Sequence, residues 1–171
     1  MNITLIGMPG AGKSLIGKEV ALRLNLRLID TDELIRQRTG LSLGETLARL
    51  GDELFIQLEE NVVLQLGNFD NCVVSPGGSV IYSPKAMDFL KRRSVVVFLN
   101  VPVEVIHDGV EPQRGVVRLR DKSLKDLFNE RLPLYKKYAN QTILANRDVR
   151  LVVEEIVRVI KVVENELGYG A

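Results

Sequence analysis

Short apolar runs rich in β-branched residues alternate along the chain with segments whose apolar positions recur at helical spacing. The runs Asn2 to Ile6, Arg27 to Ile29, Cys72 to Ser75, Val95 to Leu99 and Gln141 to Leu144 predict strands. Most are continuously apolar rather than alternating, the pattern of parallel strands covered on both faces. Helix signals fill the intervals. Ser42-Leu43-Gly44-Glu45 and Ser123-Leu124-Lys125-Asp126 have the form of capping boxes. Ser83-Pro84 sets an N-cap before a proline, and Thr39-Gly40 closes a helix that begins near Asp32. Val149, Val152, Val153, Ile156, Ile160 and Val163 form a stripe that predicts a last helix packed on a sheet. This β-α order predicts an α/β sandwich with a parallel sheet. One segment breaks the pattern. Gly109 to Asp121 holds glycines, a proline and three arginines without period, and reads as a functional surface loop or a linker.

The first strand runs into Gly7-Met8-Pro9-Gly10-Ala11-Gly12-Lys13-Ser14, with a helix from Leu15. This is the G-x-x-x-x-G-K-[ST] pattern in its strand–loop–helix context. Its glycines let backbone N–H groups converge on phosphate oxygens, and the helix N-terminus adds partial positive charge. Gly10, Ala11, Gly12, Lys13, Ser14 and Leu15 are the expected nucleotide-binding residues. Lys13 would reach the β- and γ-phosphates, and the Ser14 hydroxyl would ligate Mg²⁺. ATP and Mg²⁺ are the cofactors this implies, with GTP left open.

Leu28-Ile29-Asp30-Thr31-Asp32 ends the second strand with two carboxylates two positions apart. If the extended backbone persists, both face one site at the carboxyl end of the sheet. Asp30 would then hold Mg²⁺ through water and Asp32 would accept from a substrate hydroxyl. The alternative is that Asp32 caps the next helix.

Composition narrows the class. The 171 residues predict one domain. Lys plus Arg total 23 against 22 Asp plus Glu, a net charge of +1, which argues against a nucleic-acid-binding surface. Cys72 alone cannot form an internal disulfide and reads as a core thiol; with the single His107 it cannot build a thiolate zinc site. The apolar run from Ile3 is too short for a signal peptide, and charges interrupt Leu151 to Val163, so no membrane span is expected. The expectation is a cytoplasmic monomer that binds neither nucleic acid nor membrane.

The chain resembles the shikimate kinases, relatives of the nucleoside monophosphate kinases, over nearly its whole length. The motifs that carry the likeness are GMPGAGKS, IDTDELI with the following RTG, the stretch from Phe55 to Glu60, SPGGSV, and Arg131-Leu132-Pro133-Leu134-Tyr135. The resemblance implies a three-layer α/β/α sandwich with a central five-stranded parallel sheet, a substrate-binding region at about 32–60, and a mobile lid at about 109–121. It implies catalytic roles for Lys13, Asp32 and Arg114, with Arg114 closing over the phosphates. It makes Asp30, beside Ser14, the magnesium-site aspartate. Asp32, Gly77, Gly78 and Arg131 become substrate contacts, Arg131 to a carboxylate. The implied activity is ATP-dependent phosphorylation of shikimate to shikimate 3-phosphate, a step of aromatic amino acid biosynthesis.

Departures from the family pattern bear on the substrate half. Ile56 stands where the family has an arginine for the shikimate carboxylate, and Ser79 replaces the last glycine of a three-glycine run. The lid reads Arg114-Gly115-Val116-Val117, and no arginine flanks the adenine near Gly109. Arg49 is a candidate to compensate for Ile56. These changes leave open a kinase for another small hydroxylated, anionic metabolite, and a nucleotide-binding protein without transfer activity.

Overall fold

The computed structural model describes residues 1–106, 115–120 and 122–166, and structural statements below concern these. Five parallel strands form one sheet in the order β2-β3-β1-β4-β5. They are β1 (Asn2–Ile6), β2 (Arg27–Asp30), β3 (Cys72–Ser75), β4 (Val95–Asn100) and β5 (Gln141–Leu144). The register sets Asn2 beside Cys72 and Ile3 beside Val95. The central strands are buried on both faces, which is why they read as unbroken apolar runs.

Alternate residues feed two cores. Ile3, Leu5, Val97 and Leu99 pack with α1 (Lys13–Leu24) and α7 (Val149–Glu166), through Ile16, Val20, Val152, Ile156 and Ile160. Ile6, Val74, Val96 and Phe98 face the opposite layer, where α4 (Pro84–Lys91) and α6 (Leu124–Tyr138) bring Met87, Leu90, Leu127 and Tyr135. The three-layer sandwich is therefore a consequence of period-two strands between helices with one apolar stripe each. The short α5 (Val103–Ile106) follows β4.

A smaller cluster sits beside the sheet. Here α2 (Thr31–Thr39) and α3 (Leu43–Leu64) pack Ile35, Leu43, Phe55, Ile56 and Val62 together with Val117. The helix α3 breaks at Gly51, whose φ of 75° is a backbone conformation that side-chain-bearing residues rarely adopt.

The expected caps are present. Ser42 and Glu45 form a reciprocal capping box, as do Ser123 and Asp126, and the Ser83 hydroxyl accepts from the Ala86 N–H. Ser42→Ala should lower stability by about 1 kcal/mol in chemical denaturation without changing the denaturant slope. Two boundaries differ from expectation. The first helix opens at Lys13 rather than Leu15, because Gly12 with φ 79° serves as its N-cap. The second strand runs through Asp30 and α2 starts directly at Thr31. Among the described residues, no helix is long and apolar enough to cross a membrane.

Candidate active site

The carboxyl ends of β1, β2 and β3 open into one cavity of about 300 Å³, roofed by Gly115, Val116 and Val117. On its β1 side, no side chain caps α1, so the helix N-terminus behind Gly12 faces the cavity. Lys13 is nearly buried, and its Nζ donates to the carbonyls of Gly7 and Met8, both at 2.9 Å. The side chain thus lies folded along the loop that would receive phosphates. Ser14 Oγ donates to Asp30 Oδ2 at 2.7 Å, which sets a hydroxyl and a carboxylate side by side at the same end of α1. A hydroxyl, a carboxylate and an open helix N-terminus suit a nucleotide with a hard cation held mainly by its own phosphates. Among the described residues, no cluster of three metal-ligating side chains competes with that site.

The paired-carboxylate expectation needs correction. The backbone does not stay extended from Asp30 to Asp32. Asp30 is the N-cap of α2, its Oδ1 accepting from the N–H groups of Asp32 and Glu33 at 3.0 and 3.3 Å. The capping task expected as an alternative for Asp32 falls to Asp30. Asp32, in the first helical turn, still lines the cavity, brought there by the start of the helix and not by strand alternation.

On the β3 side, Gly77 and Gly78 leave room that any side chain would fill. A Cβ on Gly77 would lie closer than 3.0 Å to both Glu59 Oε1 and Asp32 Oδ1. One on Gly78 would lie 2.8 Å from the Pro9 ring and 3.1 Å from Arg131 Nη1. Glu59 is buried, accepts a hydrogen bond from Ser79 Oγ, and has its carboxyl pKa pushed up to about 8 chiefly by burial, with Asp32 adding to the rise.

Arg131 is fully buried on α6. Its Nη2 donates to the Val117 carbonyl at 2.8 Å and its Nε to Tyr82 Oη at 3.3 Å. Its Nη1, buried in the cavity wall, has no hydrogen-bond partner among the described residues. A buried guanidinium N–H left unmatched costs free energy that an arriving anion would recover. Tyr135 supports this wall. It stacks on Phe98 and donates to the Gly78 carbonyl at 2.7 Å, while burial holds its hydroxyl near 12. Beyond Arg131, Glu130 gathers Tyr82, Lys122 and Arg118, and the Arg118 guanidinium lies 4.2 Å over the Tyr82 ring. The Arg118 N–H also bonds Asp52. These contacts pin the segment carrying Val117 over the cavity.

Most expected site residues therefore meet in one place. Gly10, Gly12, Lys13, Ser14, Leu15, Asp32, Gly77, Gly78 and Arg131 line the cavity, Ala11 is buried in the loop beneath it, and Asp30 joins through Ser14. Arg114 and His107 lie outside the described residues, as does most of the expected lid. Arg49 is exposed and not part of the cavity wall, so it does not take the place of the missing arginine. Ile56 packs with Ile35, Leu43 and Val62 instead of lining the cavity. Sequence reasoning left out Glu59 and Tyr82 as site residues. The glutamate was visible within the Phe55 to Glu60 motif; the tyrosine carries no local signal.

A family model described as shikimate kinase matches residues 9–161. The chain belongs to the shikimate kinase family. Members of this family are ATP-dependent kinases, and the protein is an enzyme of that class. A shikimate kinase of Caldanaerobacter subterraneus is 33% identical over 92% of this chain and 94% of its own length. That of Paracidovorax citrulli is 39% identical over 86% and 84%. The structure of the Acinetobacter baumannii shikimate kinase in complex with shikimate superposes with a TM-score of 0.86 at 30% identity, covering 93% and 92% of the two chains. The Ile56 and Ser79 departures therefore stand within a fold shared with that structure.

Proposed function

We propose that the protein transfers the γ-phosphoryl group of ATP to the 3-hydroxyl of shikimate. The observation that carries the substrate half is Arg131 Nη1, a buried guanidinium N–H without a partner among the described residues, facing a cavity that Asp32 and the phosphate loop also line. A carboxylate accepts from such a group, and at about 300 Å³ the cavity matches one small metabolite. The relatives named shikimate kinase, and the one solved with shikimate, support the same reading.

The residues divide the work by position. Gly10, Ala11, Gly12 and Leu15 present backbone to the triphosphate, and Lys13 turns from the Gly7 and Met8 carbonyls to the β- and γ-phosphates. Ser14 and Asp30 would hold Mg²⁺, which when bound neutralises charge on the phosphate oxygens. Asp32 orients the attacking hydroxyl and accepts its proton, Arg131 anchors the carboxylate, and Gly77 and Gly78 let the ring approach the backbone. On the motif alone, Arg114 is the lid cation for the transferring group. Catalysis in this arrangement is positioning and charge neutralisation, without a covalent enzyme intermediate.

Ile56, turned into the apolar cluster, leaves Arg131 as the guanidinium in the cavity wall among the described residues, and this favours a second reading with another hydroxylated acid as substrate. Coupled ADP release, measured with shikimate and a panel of other hydroxylated acids, separates them. Saturable shikimate-dependent turnover is the expected result. Turnover only with another acid overturns the substrate, and nucleotide binding without turnover on any of them overturns phosphoryl transfer.

A further inference from the structure

Tyr82 is not part of the cavity wall, yet it meets Arg131, the guanidinium that carries the substrate reading above. It ends the single helical turn Val80–Tyr82, which follows Gly77, Gly78 and Ser79. Its hydroxyl donates to Glu130 Oε1 at 2.6 Å, while Glu130 Oε2 accepts from Lys122. A carboxylate paired with a lysine only accepts, so the phenol proton points to Glu130. The phenol lone pairs are then left for Arg131 Nε, 3.3 Å away. The second hold on the guanidinium is the Val117 carbonyl, 2.8 Å from Nη2. Nε and Nη2 share one edge of a planar group, and a plane held at two points has no free turn left. Nη1 stays at the opposite corner, where a Cβ on Gly78 would come within 3.1 Å of it. Tyr135 faces the guanidinium as well, with its own proton given to the Gly78 carbonyl.

Both holds lean on Tyr82. The Arg118 guanidinium lies 4.2 Å over its ring, and Arg118, the neighbour of Val117, keeps a φ of 63°. Residues with a side chain rarely adopt that backbone conformation, so it persists only where contacts fix it. Here they are the Tyr82 ring and the Asp52 carboxylate, which accepts the Arg118 N–H. We propose that Tyr82, its hydroxyl turned by Glu130, is a positioning residue for the phosphoryl acceptor: it fixes the plane of the Arg131 guanidinium so that Nη1 meets the substrate carboxylate. This role rests on the substrate reading above. Tyr82 acts through Arg131 alone, so its loss falls on binding of the acid and not on the phosphate loop. Without the hydroxyl, Nε joins Nη1 as a buried donor with no match, and the guanidinium is free to turn. A carboxylate then has to order the group that it would otherwise find already in place.

The test is steady-state kinetics of Tyr82→Phe, Glu130→Met and Glu130→Gln, with shikimate and ATP varied in turn. Tyr82→Phe keeps the ring under Arg118 and removes only the hydroxyl. Its KM for shikimate should rise about tenfold, with kcat and the KM for ATP within about twofold of the wild type. Glu130→Met, which takes away the acceptor, should raise the same KM by a similar factor. Glu130→Gln puts back an oxygen for the phenol and should recover most of that loss. A glutamate needed only for its ion pairs with Lys122 and Arg118 would show no such rescue. A Tyr82→Phe enzyme with wild-type KM for shikimate overturns the proposal, and so does one whose loss lies in kcat alone. The Arg131 Nε–H signal in ¹⁵N spectra, assigned by its disappearance in Arg131→Lys, reads the contact without any substrate. Tyr82→Phe should shift that signal and speed its exchange with water, and an unmoved signal overturns the proposal. Should the signal respond while the wild type turns over no shikimate, the shikimate reading fails and the orientation of Arg131 by Tyr82 stands.

Discussion

Lys13→Ala should lower kcat for ADP release by at least about 10²–10³-fold, the loss found when one preorganised donor to a transition-state charge is removed. The geometry gives the reason. Nζ already lies within hydrogen-bond reach of the Gly7 and Met8 carbonyls, on the loop that receives the triphosphate. No neighbouring lysine on α1 faces the cavity to replace it, since Lys18 points to solvent. The fold should survive. Releasing Lys13 from those carbonyls should cost about 1 kcal/mol, a fall in Tm of about 2–4 °C for a domain of this size. Thermal melting beside steady-state kinetics separates the two effects. Turnover within a few-fold of the wild type would refute the role given to Lys13.

Removing the Arg131 guanidinium should act on the other substrate. Arg131→Met should reduce kcat/KM for shikimate by about 30-fold or more, the equivalent of at least 2 kcal/mol for a buried charged partner. The KM for ATP should change far less. Because Nη2 and Nε also hold Val117 and Tyr82, some of the loss will come from a loosened cavity roof. Arg131→Lys divides these contributions. It keeps the charge but not the fork that reaches Val117, Tyr82 and the cavity together, so partial recovery of KM with the melting temperature still lowered is expected. A Met variant with wild-type KM for shikimate would remove the carboxylate contact from this residue.

The two variants probe halves of the site that were unequally visible in the chain. The phosphate half is encoded in eight consecutive residues, Gly7 to Ser14, and forms one loop running into α1, which takes in Lys13 and Ser14 two residues earlier than expected. The substrate half is assembled from α2, α3, the turn after β3, and α6, so its members are distant in the chain. Motif likeness named Asp32, Gly77, Gly78 and Arg131 for it, and all four line the cavity. It did not foresee which groups would be left unsatisfied or shut away from water. Ile56 illustrates the point: one residue from Phe55, which lines the cavity, it turns into the α2–α3 cluster. Arg49 was a reasonable substitute cation by distance along the chain, yet its helix face sends it to solvent.

By itself the sequence determined the strands, the helix caps and the phosphate loop, because each follows from local rules: apolar runs, a hydroxyl or carboxylate three residues before an N–H, glycines at a strand end. It did not determine how α2 begins. The competition between strand and helix at Asp30 was settled in favour of the cap, and that moved Asp32 to its place. Only the tertiary structure brought Glu59, Ser79 and Asp32 together around Gly77 and left Arg131 Nη1 unmatched in the wall. The physical reason is that charge state and hydrogen-bond satisfaction depend on water exclusion by elements far apart in the chain, which no local pattern records.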